Sequence, residues 1–321
     1  MVKGLIFALL IALGTPSALA QGYPNKPIRV IVPYAPGGAA DITGRVVSQK
    51  LSEGLGVPVV VENRAGANGM IGTDAVAKAA PDGYTLLLVA SGPVVVNPSL
   101  YSKVPYDPVR DLAPISQVTT FQYVLVVPEQ SPYKTLPDLI AAAKAKPRAL
   151  TFGSTGIGGG GHLAGELLGL MSGTQLTHVP YKGSGPALVD LFAGQLSFTY
   201  DTVITSVPHV RAGKLLAFAV SGPNRSKSLP QVPTMSELGF KGFAVTQFQG
   251  FMAPGKTDPA LIALLHREIV KAMRSPEVKQ RLETEGGNEL VGNTPEEFAA
   301  LIRSDLEMYR KLIRDADIRM E

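Results

Sequence analysis

The chain of 321 residues has no cysteine, no tryptophan and only four histidines. Without cysteine there is no disulfide, no thiolate metal site, no thiol nucleophile and no acylated lipoprotein anchor. Exported proteins of this size can do without disulfides because their cores are large. His162, His178, His209 and His266 show neither H-x-x-x-H nor H-x-H spacing, and no serine stands in a G-x-S-x-G turn. A secreted enzyme is therefore disfavoured, since neither a nucleophile–base pair nor a metal set is legible. No basic block with interleaved aromatics accompanies the net charge of +4, which excludes nucleic acid as a partner and fits an anionic small ligand weakly. Internal repeats and low-complexity tails are also missing. A 45% apolar fraction with 17% charged residues describes an ordinary globular chain.

Long apolar runs are scarce, and the clearest is at the start. Lys3 is followed by the nine-residue stretch Leu5 to Leu13, a break at Gly14 and Pro16, and Ala18-Leu19-Ala20. A positive n-region, an apolar core and a small-x-small site are the pattern a signal peptidase reads, so the mature chain is expected to begin at Gln21. The run is far short of the roughly 20 residues of a spanning helix. Removing it leaves about 300 residues, enough for two domains, and takes the net charge one unit lower. The expectation is a soluble, exported protein free of cofactors.

What is abundant is glycine, 34 residues, and proline, 26. They fall where short β-branched runs hand over to helices. Ile28–Val32 leads through Pro33–Ala40 into a helix from about Asp41 to Leu51. Val57–Glu62 precedes another helical stretch ending at Pro81-Asp82-Gly83, and Thr85–Val89 is apolar on both faces, as a covered parallel strand should be. A second unit opens at Tyr123–Val127. It continues with a helix Leu136–Ala145, a strand Leu150–Gly153 and a helix His162–Met171 whose stripe Leu163, Leu167, Leu170 suggests a buried face. Then come a strand at Thr177–Val179, a helix Pro186–Ala193, a strand Leu196–Tyr200 and a strand Leu215–Val220. The last third is helical. Asp258-Pro259 and Ser275-Pro276 read as caps, with Leu261, Leu264, Leu265 and Ile269 on one face. Thr294-Pro295-Glu296-Glu297 reads as a capping box before a stripe of Phe298, Leu301, Ile302 and Tyr309. Strands alternating with helices imply right-handed βαβ units in an α/β fold.

Two motif matches fail on their chemistry. Gly156 to Gly161 fits G-x-G-x-x-G, but the following strand runs into His178-Val179-Pro180-Tyr181-Lys182 without the carboxylate that holds a ribose. Gly250 to Thr257 fits G-x-x-x-x-G-K-[ST], but Pro254 lacks the N–H a phosphate cradle needs, and the helix begins too late, at Asp258-Pro259. The glycine loops suit a different task. At a helix N-terminus such a loop presents free N–H groups at the positive end of the dipole, a place for a carboxylate or phosphate. Three turns have this form: Pro36 to Asp41, Ser154 to His162 and Tyr181 to Pro186.

These stretches carry a resemblance. Ile31-Val32-Pro33-Tyr34-Ala35-Pro36-Gly37-Gly38 with Asp41, Glu62-Asn63-Arg64-Ala65-Gly66-Ala67-Asn68-Gly69, Pro81 to Leu86, His178 to Gly183 and Ala253 to Pro259 occur in the order and form of the Bug family. These are the periplasmic solute-binding components of tripartite tricarboxylate transporters, and the chain resembles them over nearly its whole mature length. The resemblance implies a type II periplasmic binding-protein fold, two α/β lobes around a ligand cleft, with residues 21–122 plus 247–321 as domain 1 and 123–246 as domain 2. It implies a small organic acid as ligand and membrane permease subunits as partners. One carboxylate would meet Gly37, Gly38 and Ala39. The other end would meet Ser154, Thr155, Gly156 and the turn of Tyr181, Lys182 and Gly183. Asp201 matches a strand-end acid that accepts from an ammonium, hydroxyl or water, or serves structure. Tyr34 and Phe248, with Phe121, are candidate aromatic walls, and Ser91 and His162 complete the expected set. Gln247-Phe248-Gln249-Gly250 departs from the family, many of whose members have a tryptophan before that glycine. A ligand-sensing subunit that docks on a receptor kinase is the alternative reading.

Overall fold

The computed structural model describes residues 22–315, so the export signal and its cleavage after Ala20 lie outside the described residues. Among the described residues no helix is long and apolar enough to cross a membrane. The chain opens with β1 (Ile28–Val32), α1 (Ala39–Leu55), β2 (Val59–Asn63), α2 (Met70–Ala77) and β3 (Thr85–Ala90). β1 pairs in parallel with both β2 and β3. All six residues of β3 are buried. Leu86 and Leu88 pack with Val47 and Leu51 of α1, whereas Leu87 and Val89 pack with Phe298 and Ile302 on the opposite face. That two-sided burial is why the strand reads as a continuous apolar run rather than an alternation.

After α3 (Asn97–Leu100) the chain enters β4 (Leu112–Pro128), a 17-residue strand longer than the sequence suggests. Its first part, to Gln122, runs antiparallel to β9 (Thr246–Pro254); its last part, from Tyr123, pairs with β7 (Phe198–Thr202) and β8 (Leu215–Val220). Between these lie α4 (Leu136–Ala145), β5 (Thr151–Ser154), α5 (Gly160–Ser172), β6 (Thr177–Pro180), α6 (Ser184–Phe192) and α7 (Val203–Arg211). β5 is parallel to β6 and β7. The strand order is β2-β1-β3-β9-β4-β7-β5-β6. After β9 the chain closes with α8 (Pro259–Met273), α9 (Pro276–Val278), β10 (Glu289–Leu290) and α10 (Pro295–Asp315). The result is an α/β fold, one mixed sheet covered by helices.

Several local expectations hold to the residue. α8 and α9 begin at side-chain caps from Asp258 and Ser275. The Thr294 amide donates to Glu297 at 2.8 Å while the Glu297 amide donates to the Thr294 hydroxyl at 3.2 Å, the reciprocal box expected there. Others need correction. α1 begins at Ala39 rather than Asp41, because Asp41 occupies the third helical position and folds its carboxylate back to the Gly37 N–H. β7 lies two residues further on than expected, and α7 and β9 have no counterpart in the sequence reading. On α5 the leucine stripe is not the buried face: Leu170 is 77% exposed. The helix instead buries Gly161, Ala164, Gly165 and Leu168. A Cβ on Gly165 would stand 2.1 Å from the Phe152 ring, so the helix approaches β5 closely at a glycine. Hydrophobic periodicity does not register the glycines of that face.

Candidate functional site

Three helices begin around one space at the carboxyl ends of the parallel strands. α1 starts after Gly38, α5 after Gly159 and α6 after Gly183, and none of the three has a side-chain cap. By contrast α4, α8 and α9 are capped by Thr135, Asp258 and Ser275, and α10 by Thr294. The unpaired N–H groups and positive dipole ends of α1, α5 and α6 are thus left for something else. Gly38, Ala39, Gly159, Gly183 and Ser184 all border the space. A fourth helix, α7, starts at the bordering Thr202, but its positive end is already answered. The buried Asp201 carboxylate accepts from Thr205 at 2.5 Å and Ser206 at 2.7 Å. Burial raises the Asp201 carboxyl above its usual range, outweighing hydrogen bonds from Thr205, Ser184 and Ser206.

Aromatic rings and two carboxamides complete the wall. Tyr34, Phe121 and Tyr123 line it together with Ala40, Ala90, Thr155, Gln247 and Gln249. No Lys, Arg, Asp or Glu side chain is among the lining residues. The phenols of Tyr34 and Tyr123 are held protonated by burial, which raises both well above 10. The space totals about 400 Å³ including its mouth, yet only about 30 Å³ would take the centre of a water. That is room for very few waters. The loops on either side of it touch: the Ala35 amide donates to the Lys182 carbonyl at 2.9 Å, and the Tyr101 hydroxyl to the Ile157 carbonyl at 3.4 Å.

Of the residues expected from sequence, Tyr34, Gly38, Ala39, Phe121, Thr155 and Gly183 border this space. The others stand behind it. Gly37, at φ +80°, turns its amide to Asp41 at 3.0 Å. Asp41 is further held by Arg45 at 3.0 Å and Asn63 at 2.9 Å. Burial works to raise this carboxyl, but the bonds from Arg45, Gly37 and Asn63 together lower it. The Ser91 hydroxyl accepts from the Phe248 amide at 2.9 Å. Ser154 is paired with His178 at 2.6 Å, and the Gly156 amide donates to the Ser154 hydroxyl at 3.2 Å. His162 accepts from the Gly158 amide at 3.2 Å, and its ring lies 4.2 Å from that of His178. Burial lowers His162 to about 4, and burial with the neighbouring His162 lowers His178 to about 3, so both are neutral at pH 7. The Tyr181 hydroxyl donates to Asp190 at 2.7 Å. The Lys182 side chain is exposed.

Phe248 faces away from the space. Its ring meets Phe298 edge-on at 5.2 Å, in the core beneath α10. Successive residues of a strand point to opposite faces, so Gln247 and Gln249 take the side turned toward the ligand space. The same alternation puts Phe121 and Tyr123 of β4 on that side. Tyr123, Ser184, Thr202, Gln247 and Gln249 escaped the sequence reading. The alternation within Gln247-Phe248-Gln249 could have separated the inward from the outward residues, had that stretch been read as a strand.

Comparison with known proteins fixes the lineage. The family model described as "Tripartite tricarboxylate transporter family receptor" matches residues 43–318. Protein BugT of Bordetella pertussis (strain Tohama I) is 40% identical over 303 residues, covering 94% of this chain and 93% of BugT. The structure of the periplasmic binding protein BugD superposes with a TM-score of 0.89 at 32% identity, covering 93% of this chain and all of that one. That of R. palustris Rpa4515 with adipate gives 0.88 at 31% identity, covering 92% and 99%. The chain belongs to the tripartite tricarboxylate transporter receptor family, the solute-binding proteins that include the Bug proteins.

Proposed function

We propose that this chain is an exported, monomeric capture subunit that takes a carboxylate of a small organic acid between two lobes and delivers it to the membrane permease of a tripartite tricarboxylate-type transporter. The lobes are residues 21–122 with 247–321, and residues 123–246. The change of partner along β4 at Gln122/Tyr123 supports that division. The observation that carries the reading is the convergence of three uncapped helix starts, α1, α5 and α6, on one space without a charged side chain. Backbone N–H groups in a desolvated pocket hold an anion without a competing counter-ion. The adipate held by the Rpa4515 structure supports the carboxylate class.

In this reading Gly38 and Ala39 meet one carboxylate, with Gly37 and Tyr34 shaping their loop. Thr155 and Gly183 approach from the other lobe, backed by Ser154, Gly156, His162, Tyr181, Lys182 and Asp201, while Ser91 and Phe248 fix β9 beside them. Residues at the loops serve binding and none is asked to perform chemistry.

Native mass spectrometry of the processed protein, then a melting-temperature screen against mono-, di- and tricarboxylic, aromatic and amino acids, tests this. A co-purified acid, or a concentration-dependent rise with one compound, is expected. No bound mass and no shift across the panel would overturn the carboxylate reading. The periplasmic form should begin at Gln21; a chain retaining residues 1–20 would refute cleavage after Ala20.

A further inference from the structure

Gln247 is 5% exposed and borders the ligand space, yet its amide nitrogen has no hydrogen-bond partner. A buried unpaired donor is costly, so its persistence calls for an explanation. The other end of the same amide is fixed: the Tyr123 hydroxyl donates to Gln247 Oε1 at 2.6 Å. Tyr123 is itself packed against Gly160 at the start of α5. With the phenol's proton given to Oε1, Nε2 is left as the unpaired end of the carboxamide.

The surroundings decide what that donor receives. The space it borders is also lined by Phe121, Tyr123 and Ala90, and by no charged side chain that would answer a second carboxylate. Asp201 lies directly before the bordering Thr202 and interacts with the bordering Ser184. Its buried carboxyl disfavours a second negative charge nearby. A neutral oxygen acceptor satisfies Nε2 without the desolvation cost of a second carboxylate.

Resting on the carboxylate reading above, we propose that Gln247 is a specificity-determining residue that selects monocarboxylates whose far end carries a neutral oxygen acceptor, a ketone, hydroxyl or carboxamide, over dicarboxylates.

The test is calorimetric titration of the full mature protein with two matched sets. Butanoate, 4-oxopentanoate, succinamate and succinate form one; hexanoate, 5-oxohexanoate, adipamate and adipate form the other. In at least one set the oxo acid or monoamide should bind about tenfold tighter than both the alkyl acid and the dicarboxylate, the ratio one hydrogen bond supplies. Gln247→Leu should abolish the preference, so that the oxo acid and the monoamide bind no more tightly than the alkyl acid of the same length. Tyr123→Phe, which frees the amide to rotate, should reduce the preference without abolishing binding. If Gln247→Leu does not fold, Tyr123→Phe and the wild-type ranking still decide. A dicarboxylate that binds as tightly as its monoamide, or a preference that survives both substitutions, would overturn the inference and leave the receptor reading intact. Failure of every acid in both sets to bind would overturn both.

Discussion

Asp41 sits among the residues most directly tied to the proposed site without bordering it. Its carboxylate joins Gly37, Arg45 and Asn63, so it holds the loop that turns into α1. Asp41→Ala should lower stability by about 1–2 kcal/mol at pH 7, with or without ligand. A melting curve changed only when ligand is present would contradict this. Because the carboxyl is lowered in the fold, its contribution is present above the unfolded value near 3.8 and is lost as pH falls through the folded value. The histidine pair has the same sense for a different reason. His162 and His178 are depressed from 6.5 to about 4 and about 3, so the unfolded chain takes up protons first. Stability due to them is present above pH 6.5 and is lost as pH falls from there toward 4. Asp305, raised to about 6 by burial, acts oppositely over part of that window, gaining as pH falls. It is unchanged in His178→Gln, so the difference between wild type and variant isolates the histidine. From pH 6.5 to 4 the wild-type melting temperature should fall about 2–4 °C more than the variant's. Equal slopes would show that the ring is not held neutral. Lys182 is exposed, so its charge acts at a distance. Lys182→Ala should slow ligand association about twofold at low salt and scarcely at physiological salt, as stopped-flow measurement would show.

Helices begin here in two contrasting ways. α4, α8, α9 and α10 carry Thr, Asp or Ser caps, which a sequence can show because a cap is a local bond between neighbours. α1, α5 and α6 follow glycine, which also was legible; that all three meet at one space depends on the order of the strands. Glycine's other use is close approach. Gly165 lets α5 rest on Phe152, where an added Cβ would stand 2.1 Å from the ring. Gly54, exposed near the end of α1, meets nothing closer than a Glu268 oxygen at 3.6 Å. Gly165→Ala should therefore destabilise by about 2 kcal/mol, while Gly54→Ala should stabilise by about 0.5–1 kcal/mol through helix propensity. Denaturant unfolding of the two variants would show opposite shifts. Equal effects would mean that backbone propensity, not packing, governs both.

At the scale of the molecule, the narrow space and the bond between Ala35 and Lys182 imply that a ligand enters only when the loops part. The lack of native cysteine gives a clean test. A Cβ on Gly183 would lie 3.1 Å from that of Ala35, so the two loops need part by only a few tenths of an ångström to reach the roughly 3.5–4.5 Å a disulfide spans. Oxidised Ala35→Cys with Gly183→Cys should exchange ligand at least about tenfold more slowly than its reduced form; unchanged exchange would mean that entry does not pass between these loops. The sequence by itself determined the parallel α/β units, the capped helices and the anion-suited glycine loops, because each rests on neighbours along the chain. Only the tertiary structure decided that Gln247 rather than Phe248 borders the space, that Gly161, Ala164, Gly165 and Leu168 rather than the Leu163, Leu167, Leu170 stripe are the buried face of α5, and that the side chain of Asp201 is answered by the chain's own hydroxyls. Those outcomes depend on which surfaces meet, and residues brought together from 100 or more positions apart, such as Tyr123 and Gln247, leave no local period to read.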